Sequence, residues 1–216
     1  MPAGPSRLAY PRLRFLMTDT MFLIFLGILL VGLLVLAVIV VGMYNGLVTL
    51  RNVFRNAFAQ VDVQLKRRHD LIPNLVETAK GYLAHESGTL TAVIEARAKA
   101  TQANVRLAGN PNDPAAMRDV LQAESGLSGA LGRLMVVSEN YPQLKADTQM
   151  RALMEELTST ENRIAFARQA YNDSVLAYNN GRETFPQVLV ANTFGFVPAD
   201  FFKVEEADKV APTVKF

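Results

Sequence analysis

The amino-acid sequence predicts an all-α protein: an N-terminal transmembrane helix continues into an up-and-down bundle of long helices, and an irregular, Phe-rich C-terminal tail follows. Three observations lead to this prediction. Residues 21–43 are 23 consecutive residues without a charged or strongly polar side chain. Residues 44–180 repeat apolar positions with helical spacing, and no part of them alternates with the period of a β-strand.

The apolar run at residues 21–43 is long enough to cross a lipid bilayer. As a helix it reaches about 34 Å, compared with a hydrocarbon core about 30 Å thick. It is much longer than the apolar part of a secretory signal, and no small-x-small cleavage site follows it, so we expect an uncleaved, single-pass anchor. Residues 1–20 contain three prolines and are expected to form a flexible tail.

The charges indicate where the part beyond the anchor lies and what it does not bind. Of the 22 Lys and Arg and the 20 Asp and Glu, three Arg and one Asp precede the anchor, which leaves 19 of each sign after it. A neutral domain lacks the electrostatic footprint of nucleic-acid binding. Arg7, Arg12 and Arg14 before the anchor, against Arg51 and Arg55 soon after it, favour a periplasmic domain on a bacterial inner membrane.

The first helix of the bundle is expected to follow the anchor without a break, because only Gly46 separates the anchor from an apolar stripe of helical period. Pro73 removes one backbone hydrogen bond and predicts a kink or a new helix start near residues 69–72. The period then resumes and fades near Leu107, before a turn at residues 108–113. The stripes are Leu47, Leu50, Phe54, Phe58, Val61 and Leu65, then Leu75, Ala79, Leu83, Leu90, Val93 and Ile94.

Two further helices are predicted after this turn. Asp113 is the expected N-cap of the first, with Pro114 in the first helical position, and this helix is expected to end at residues 140–142. The last long helix has a regular heptad and ends at the Asn179-Asn180-Gly181 sequence. Long helices with short turns pack antiparallel, so residues 44–181 are predicted to form one bundle. The expected buried positions are Met117, Leu121, Leu127, Leu131, Leu134 and Val137, then Met150, Leu153, Leu157, Thr160, Ile164, Ala167, Tyr171, Val175 and Tyr178.

The segment 182–216 differs from the rest because it holds six of the 12 Phe residues together with three prolines. Two interpretations remain open. The rings either staple the tail onto one end or groove of the bundle, or they form a hydrophobic surface for a partner chain or the nearby bilayer. Removal of this segment is expected to leave the bundle folded but to abolish assembly or partner binding. The candidate docking residues are Phe185, Phe194, Phe196, Phe201 and Phe202.

Several segments resemble the LemA family of bacterial membrane proteins, in order, over nearly all of residues 44–202. They are YNGLV at 44–48, LRN at 50–52, QVDVQLKRR at 60–68, DLIPNLVE at 70–77, HE at 85–86, SENYP at 138–142, TENRIA at 160–165, YN at 171–172 and GF at 195–196. The sequence departs from the family in an extended N-terminal tail and at Ala57-Phe58, where a Trp is usual. Phe58 still occupies an apolar stripe position, so we expect the fold to be retained.

The resemblance implies a membrane-anchored bundle of long helices, in agreement with the periodicity, and it implies no enzymatic activity. LemA-like genes often lie beside one for a membrane zinc metalloprotease, and one branch of the family contributes to magnetosome membrane formation. These associations favour a non-enzymatic scaffold that organises membrane or membrane proteins. The alternative is a regulatory adaptor that binds a membrane metalloprotease or its substrates through the Phe-rich tail.

The residues themselves indicate no catalytic, metal or cofactor site. His69 and His85 are 16 residues apart, whereas a helical zinc site needs two histidines four apart and a third ligand. With no cysteine, thiolate chemistry is excluded. The polar block at residues 66–70 is expected either to be solvated or to face polar runs at residues 139–140 and 161–163. A buried network there would fix the register of the helices rather than catalyse.

The candidate oligomer interface lies at the end of the anchor. Gly42 and Gly46 are four residues apart, so one helix face lacks side chains there and a second helix can approach closely. Leu47 and Phe54 would continue this contact if the bundle does not use them, and the expected assembly is a homo-oligomer. The rival interpretation is that the two glycines only loosen the helix at the membrane surface.

Overall fold

The computed structural model describes residues 10–83, 85–109 and 113–202, with side chains from residue 21 onward. No strand occurs in these ranges, so the predicted all-α class is confirmed. The chain divides into two compact units, Met1–Gly46 and Leu47–Phe216. In the described part of the chain, six helices follow one another: α1 (Tyr10–Lys80), α2 (Ser87–Gly109), α3 (Pro114–Glu139), α4 (Pro142–Ala146), α5 (Thr148–Glu183) and α6 (Gln187–Thr193).

The first unit contains the N-terminal part of α1. This helix begins at Tyr10, so residues 10–20 are helical where a flexible tail was expected, and residues 1–9 lie outside the described residues. Pro11 does not prevent the helix because it lies in the first turn, where the backbone N–H would have no partner in any case. The apolar side chains that follow are exposed, and the helix is long and apolar enough to cross a membrane.

In the second unit, α1, α2, α3 and α5 form the predicted up-and-down bundle. Along α1, Asp62 contacts Asn104 of α2, whereas His69, further on, contacts Thr101, which comes earlier in α2. On the other side, Phe54 packs near Tyr178 of α5, and the later residue Arg68 pairs with the earlier residue Glu161. The neighbours of α1 therefore both run antiparallel to it.

The helices differ from the prediction at two points. Of the kink or new helix start predicted near Pro73, the new start is not found, because Pro73 lies inside α1, which continues to Lys80. The missing hydrogen bond is offset by the full burial of the neighbouring Ile72 and Leu75. The chain turns instead at residues 81–86, a turn that the periodicity did not reveal.

The remaining helix ends agree with the sequence to within two residues. The Asp113 carboxylate accepts a hydrogen bond from the backbone N–H of Ala115 at 2.9 Å, as expected of an N-cap. α3 ends at Glu139, immediately before the predicted break, and α5 ends at Glu183, two residues beyond Gly181.

The core of the second unit has two parts. The upper core joins α1, α2, α3, α4 and α5, and it consists of Ile72, Leu75, Val76, Ala79, Leu83, Leu90, Val93, Ala100, Leu127, Leu131, Leu134, Leu144, Met150 and Leu157. The lower core is aromatic: Tyr171 lies between Phe54, Phe58 and Phe202, with ring centroids 5.9–6.5 Å apart, and Tyr178 lies 5.0 Å from Phe54. The predicted heptad of α5 is buried or half-buried throughout, whereas on α3 Val120 is fully buried and Leu121 only partly.

Candidate functional site

A layer of buried polar side chains crosses the middle of the bundle, between the upper and lower cores. It consists of Arg68 and His69 of α1, Asn104 of α2, Glu124 of α3 and Thr160 of α5. Three of these residues stand where the heptad of their helix requires an apolar side chain. Arg68 lies between Leu65 and Ile72, Glu124 lies between Val120 and Leu127, and Thr160 lies between Leu157 and Ile164. We call these five residues the polar layer.

Arg68 is the centre of this layer, with only 1% of its side chain exposed. One terminal nitrogen donates to the Glu161 carboxylate on α5. The other donates to the Ser128 hydroxyl at 2.9 Å and to the backbone carbonyl of Glu124 at 3.3 Å, both on α3. It also lies 3.4 Å from the Glu124 carboxylate. A single guanidinium therefore connects three helices.

His69 connects the fourth helix. Its Nε2 lies 2.8 Å from Oε1 of Glu124, and its Nδ1 lies 3.4 Å from the Thr101 hydroxyl on α2. The backbone carbonyl of His69 accepts a hydrogen bond from Nε of Arg97 at 2.6 Å, also on α2. The Glu124 carboxylate thus lies between the Arg68 guanidinium and the His69 imidazole.

The charges of the polar layer and of Glu161 also act on a second arginine, Arg168. Burial lowers the pKa of Arg168, and repulsion from Arg68 acts in the same direction, while Glu124 and Glu161 oppose the shift. The Arg168 guanidinium lies 4.7 Å from the centroid of the Phe202 ring. Arg168 therefore links the polar layer to the C-terminal tail.

The arrangement favours one register of α1 against α3, because a shift of either helix would separate the buried charges of Arg68 and Glu124. The ionisable groups of the layer are used in contacts within the fold. Among the residues that the structure describes, no group of three or more His, Asp or Glu side chains could hold a metal ion.

Part of this layer was predictable from the sequence. The prediction that residues 66–70 face residues 161–163 is confirmed by the Arg68–Glu161 pair, and Arg67 also pairs with Glu156. The other predicted partner, the run at residues 139–140, lies exposed at the end of α3. Glu124 on α3 is the partner instead. The signal that could have identified it is that Glu124 occupies a heptad position where an apolar residue is expected.

A second site holds the C-terminal tail against α5. Asn172 donates to the carbonyl of Phe202 at 3.1 Å and accepts from its N–H at 2.7 Å. Asn179 makes the same pair of bonds to Ala199, at 2.9 and 3.0 Å. The two asparagines lie two helical turns apart, about 10 Å, which matches three residues of extended chain. They bind the backbone of the tail, as a neighbouring β-strand would. We call these two residues the asparagine clamp.

Two tyrosines on the same face extend this clamp. The Tyr171 hydroxyl donates to the carbonyl of Asp200 at 2.9 Å, and the Tyr178 hydroxyl donates to that of Val197 at 2.8 Å. Burial raises the pKa of Tyr171 to about 12, and the negative charge of Asp200 contributes. Tyr171-Asn172 is one of the segments that resemble the LemA family, and the structure gives it a physical role.

The five candidate Phe residues of the tail separate into two groups. Phe196 and Phe202 are buried, which confirms for them that the rings staple the tail onto the bundle. Phe201 is half-buried. Phe185 and Phe194 are 76% and 55% exposed, so the interpretation as an interaction surface stays open for these two.

The four residues of the predicted oligomer interface also fall into two groups. Leu47 and Phe54 are 0% and 3% exposed in the single chain. They therefore belong to the core, and their assignment to the oligomer interface is withdrawn. Their apolar stripe is covered by the bundle itself. Gly42 and Gly46 remain candidates, because a Cβ atom added at either would meet no atom within 4 Å.

The sequence of this chain is similar to those of several known proteins. Magnetosome protein MamQ of Magnetospirillum gryphiswaldense is 26% identical over 182 residues, which cover 76% of this chain and 66% of that protein. Magnetosome protein MamQ 1 of Paramagnetospirillum magneticum is 27% identical with the same coverage. Protein LemA of Metamycoplasma hominis is 24% identical over 192 residues, or 89% of this chain and 82% of that one.

This chain therefore spans slightly less than two thirds of the length of the magnetosome relatives that it matches. The sequence model of the LemA family matches residues 57–216, which are 160 of the 216 residues. The chain belongs to the LemA family.

Proposed function

We propose that this chain is a non-enzymatic, membrane-anchored scaffold that self-assembles through its apolar helix and organises a membrane or the proteins within it. The observation that carries the proposal is the open face at Gly42 and Gly46. Positions four apart lie on one side of a helix, and the absence of side chains there allows two helix backbones to approach closely in lipid.

The polar layer supports a structural role for the bundle. Arg68, His69 and Glu124 are the groups best suited to acid–base chemistry, and they are buried and in contact with one another across two helices, α1 and α3. A network of this kind keeps the helices in one register, which a repeating assembly requires of its subunit. The names of the matched magnetosome proteins are consistent with a membrane role.

The proposed location is a bacterial inner membrane, crossed once, with the bundle in the periplasm. The distribution of arginines around the apolar run supports this orientation. If the glycine faces of successive copies meet head to tail, the contact closes into a ring or continues as a filament, depending on the rotation between copies.

The proposal is tested with the double variant Gly42→Ile/Gly46→Ile in mild detergent. Its particle mass by light scattering should fall below that of the unmodified chain, while circular dichroism stays helical. The control is Gly27→Ile/Gly32→Ile, because these glycines also have open surroundings but lie five apart and do not share one face. An unchanged mass in the first variant, or an equal fall in both, would remove the Gly42–Gly46 face from the proposal.

A further inference from the structure

The segment 184–199 is the longest stretch without Asp, Glu, Lys or Arg beyond the apolar run, at 16 residues, and it is twice the length of the next. It contains α6 and the turn after it. Val190, Ala191 and Phe196 of this segment are buried against the bundle. Four other large apolar side chains of this segment are more than half exposed, and we call them the apolar patch: Phe185, Leu189, Phe194 and Val197.

The backbone under this patch is held in place. The carbonyl of Val197 accepts from the Tyr178 hydroxyl, and the N–H of Phe196 donates to the carbonyl of Ala191 at 2.9 Å. Gly195 has a φ of +70°, a conformation that side chains disfavour, and it turns the chain from α6 onto α5. Exposure of the patch is therefore built into the fold.

The length of the chain places this patch near the membrane. The Arg51 guanidinium lies 5.1 Å from the centroid of the Phe196 ring, and Gly181 at the end of α5 lies against Leu50. Arg51 is only eight residues beyond Met43, the last residue of the apolar run. Eight residues rise about 12 Å in a helix and span at most about 29 Å when fully extended. If the apolar run spans the bilayer, the connecting chain keeps the Arg51–Phe196 contact within this reach of its surface.

Basic side chains surround the same end of the bundle. Burial raises the pKa of Tyr178, and the positive charges of Arg182, Arg51 and Arg55 oppose this shift, so all three add positive potential at this end of the bundle. Glu183 is an acidic neighbour, 3.6 Å from Arg182. Apolar side chains with a cationic rim are the pattern of a surface that enters the headgroup region of a bilayer.

We propose that the apolar patch lies in the bilayer interface and forms a second, monotopic membrane contact beside the anchor. Phe185, Leu189, Phe194 and Val197 enter the boundary between headgroups and acyl chains, and Arg55, the exposed member of the three arginines, faces lipid phosphates. The proposal rests on the membrane attachment in the proposed function, but it does not depend on self-assembly. Two contacts would fix the tilt of the bundle on the membrane, which a single helix does not.

The chain offers a direct test because it contains no cysteine, so single thiols can be labelled without background. Phe185→Cys and Phe194→Cys are labelled with an environment-sensitive fluorophore, and the full-length chain is reconstituted into nanodiscs with or without brominated acyl chains. The matched control is Phe166→Cys, because Phe166 is 74% exposed on α5 and lies 19 residues, or about 28 Å, before Phe185. Leu33→Cys, within the apolar run, reports on the anchor.

Brominated lipid should quench the labels at residues 185 and 194 to within about two-fold of the label at Leu33, since interfacial side chains reach the acyl boundary. The label at Phe166 should be unaffected. Quenching at Leu33 alone would overturn the proposal and leave the anchor intact, whereas no quenching at Leu33 would contradict the anchor itself. Blue-shifted emission without quenching at residues 185 and 194 would assign the patch to a second copy or another protein, and would also overturn the proposal.

A second measurement separates membrane contact from an effect on folding. In a chain labelled through Leu189→Cys, the added change Phe194→Asp should abolish the quenching by brominated lipid, whereas Phe166→Asp should not. Both variants should keep the helical circular dichroism of the unmodified chain. Equal quenching in the two variants would contradict a contact made by these side chains.

Discussion

Replacement of Glu124 by Gln is expected to destabilise the bundle far more than the same replacement of Glu161, although both carboxylates pair with Arg68. The two glutamates differ in burial. The Glu124 side chain is 2% exposed, and that of Glu161 is 52% exposed. Gln has the shape of Glu without its charge, so the two variants compare the loss of one charge at two depths.

The magnitude follows from this burial. Glu124→Gln leaves the buried Arg68 with one half-exposed counter-ion and removes the carboxylate that faces His69, and loss of one partner in a buried ion pair costs about 3–5 kcal/mol. In Glu161→Gln, the Glu124 carboxylate still compensates Arg68, and the lost carboxylate is half exposed, so we expect a cost of about 1 kcal/mol, near the upper value for solvent-exposed pairs. A difference of about 3 kcal/mol is a more than 100-fold change in the folding equilibrium.

The assay is guanidinium chloride unfolding of the full-length chain in mild detergent, followed by circular dichroism. Glu124→Gln should lower the midpoint of unfolding strongly, with an unchanged slope, and Glu161→Gln should lower it slightly. The combined variant Arg68→Met/Glu124→Leu removes both buried charges and should recover much of the loss. Equal losses for the two single variants would refute the reasoning, because burial would then not determine the cost.

Three further predictions concern the tail and the orientation. Because the pKa of Tyr171 is raised from 10.0 to about 12, its contribution to stability is complete below pH 10 and is lost as the pH rises from 10 to 12, so Tyr171→Phe should make unfolding curves less sensitive to alkali in this range. Asn172→Ala should cost about 1–3 kcal/mol in the unfolding assay, since two hydrogen bonds to Phe202 are lost, whereas Asn162→Ala on the exposed face of α5 should stay within about 0.5 kcal/mol. A reporter that is active only in the periplasm should be active when it is fused after residue 216, and activity of a cytoplasm-only reporter there would reverse the proposed orientation.

The fold could be predicted from the sequence because the second unit repeats one physical rule. Apolar residues three and four apart, as at Met150, Leu153 and Leu157, must face a common core, and this spacing identified the class and most of the helices. The turn between α1 and α2 was not predicted from the sequence. Gly81 is the only strong turn residue between Lys80 and His85, and the apolar period resumes soon after it. At Pro73 the sequence favoured an interruption of the helix, but α1 continues. The burial of the neighbouring apolar residues outweighs the unfavourable effect of a proline inside a helix.

The candidate sites were less predictable because each depends on contacts between distant segments. The charge pattern predicted a partner for Arg68 on α5, but Glu124 became evident only when α3 was packed against α1. The asparagine clamp binds backbone groups of the tail, so the tail itself carries no side-chain pattern that announces it. For the same reason the sequence could not distinguish the buried Phe202 from the exposed Phe185.

Removal of the residues after Glu183 is expected to affect the two cores differently, which is a more specific prediction than that the bundle stays folded. The upper core contains no residue of the tail, whereas Phe202 packs on Tyr171 in the lower core. Without the tail, the Tyr171 and Tyr178 hydroxyls also lose their acceptors and are exposed to water.

Hydrogen exchange measured by mass spectrometry on the full-length and shortened chains should therefore show a local effect. Protection should fall in residues 50–58 and 171–183 and should persist in residues 72–79 and 127–134, because the upper core and the polar layer remain closed. Loss of protection along the whole bundle would mean that the two cores fold as one cooperative unit. Unchanged protection in residues 171–183 would mean that the clamp and the aromatic contacts of the tail add no stability, and the tail would then act only through the surface that it presents.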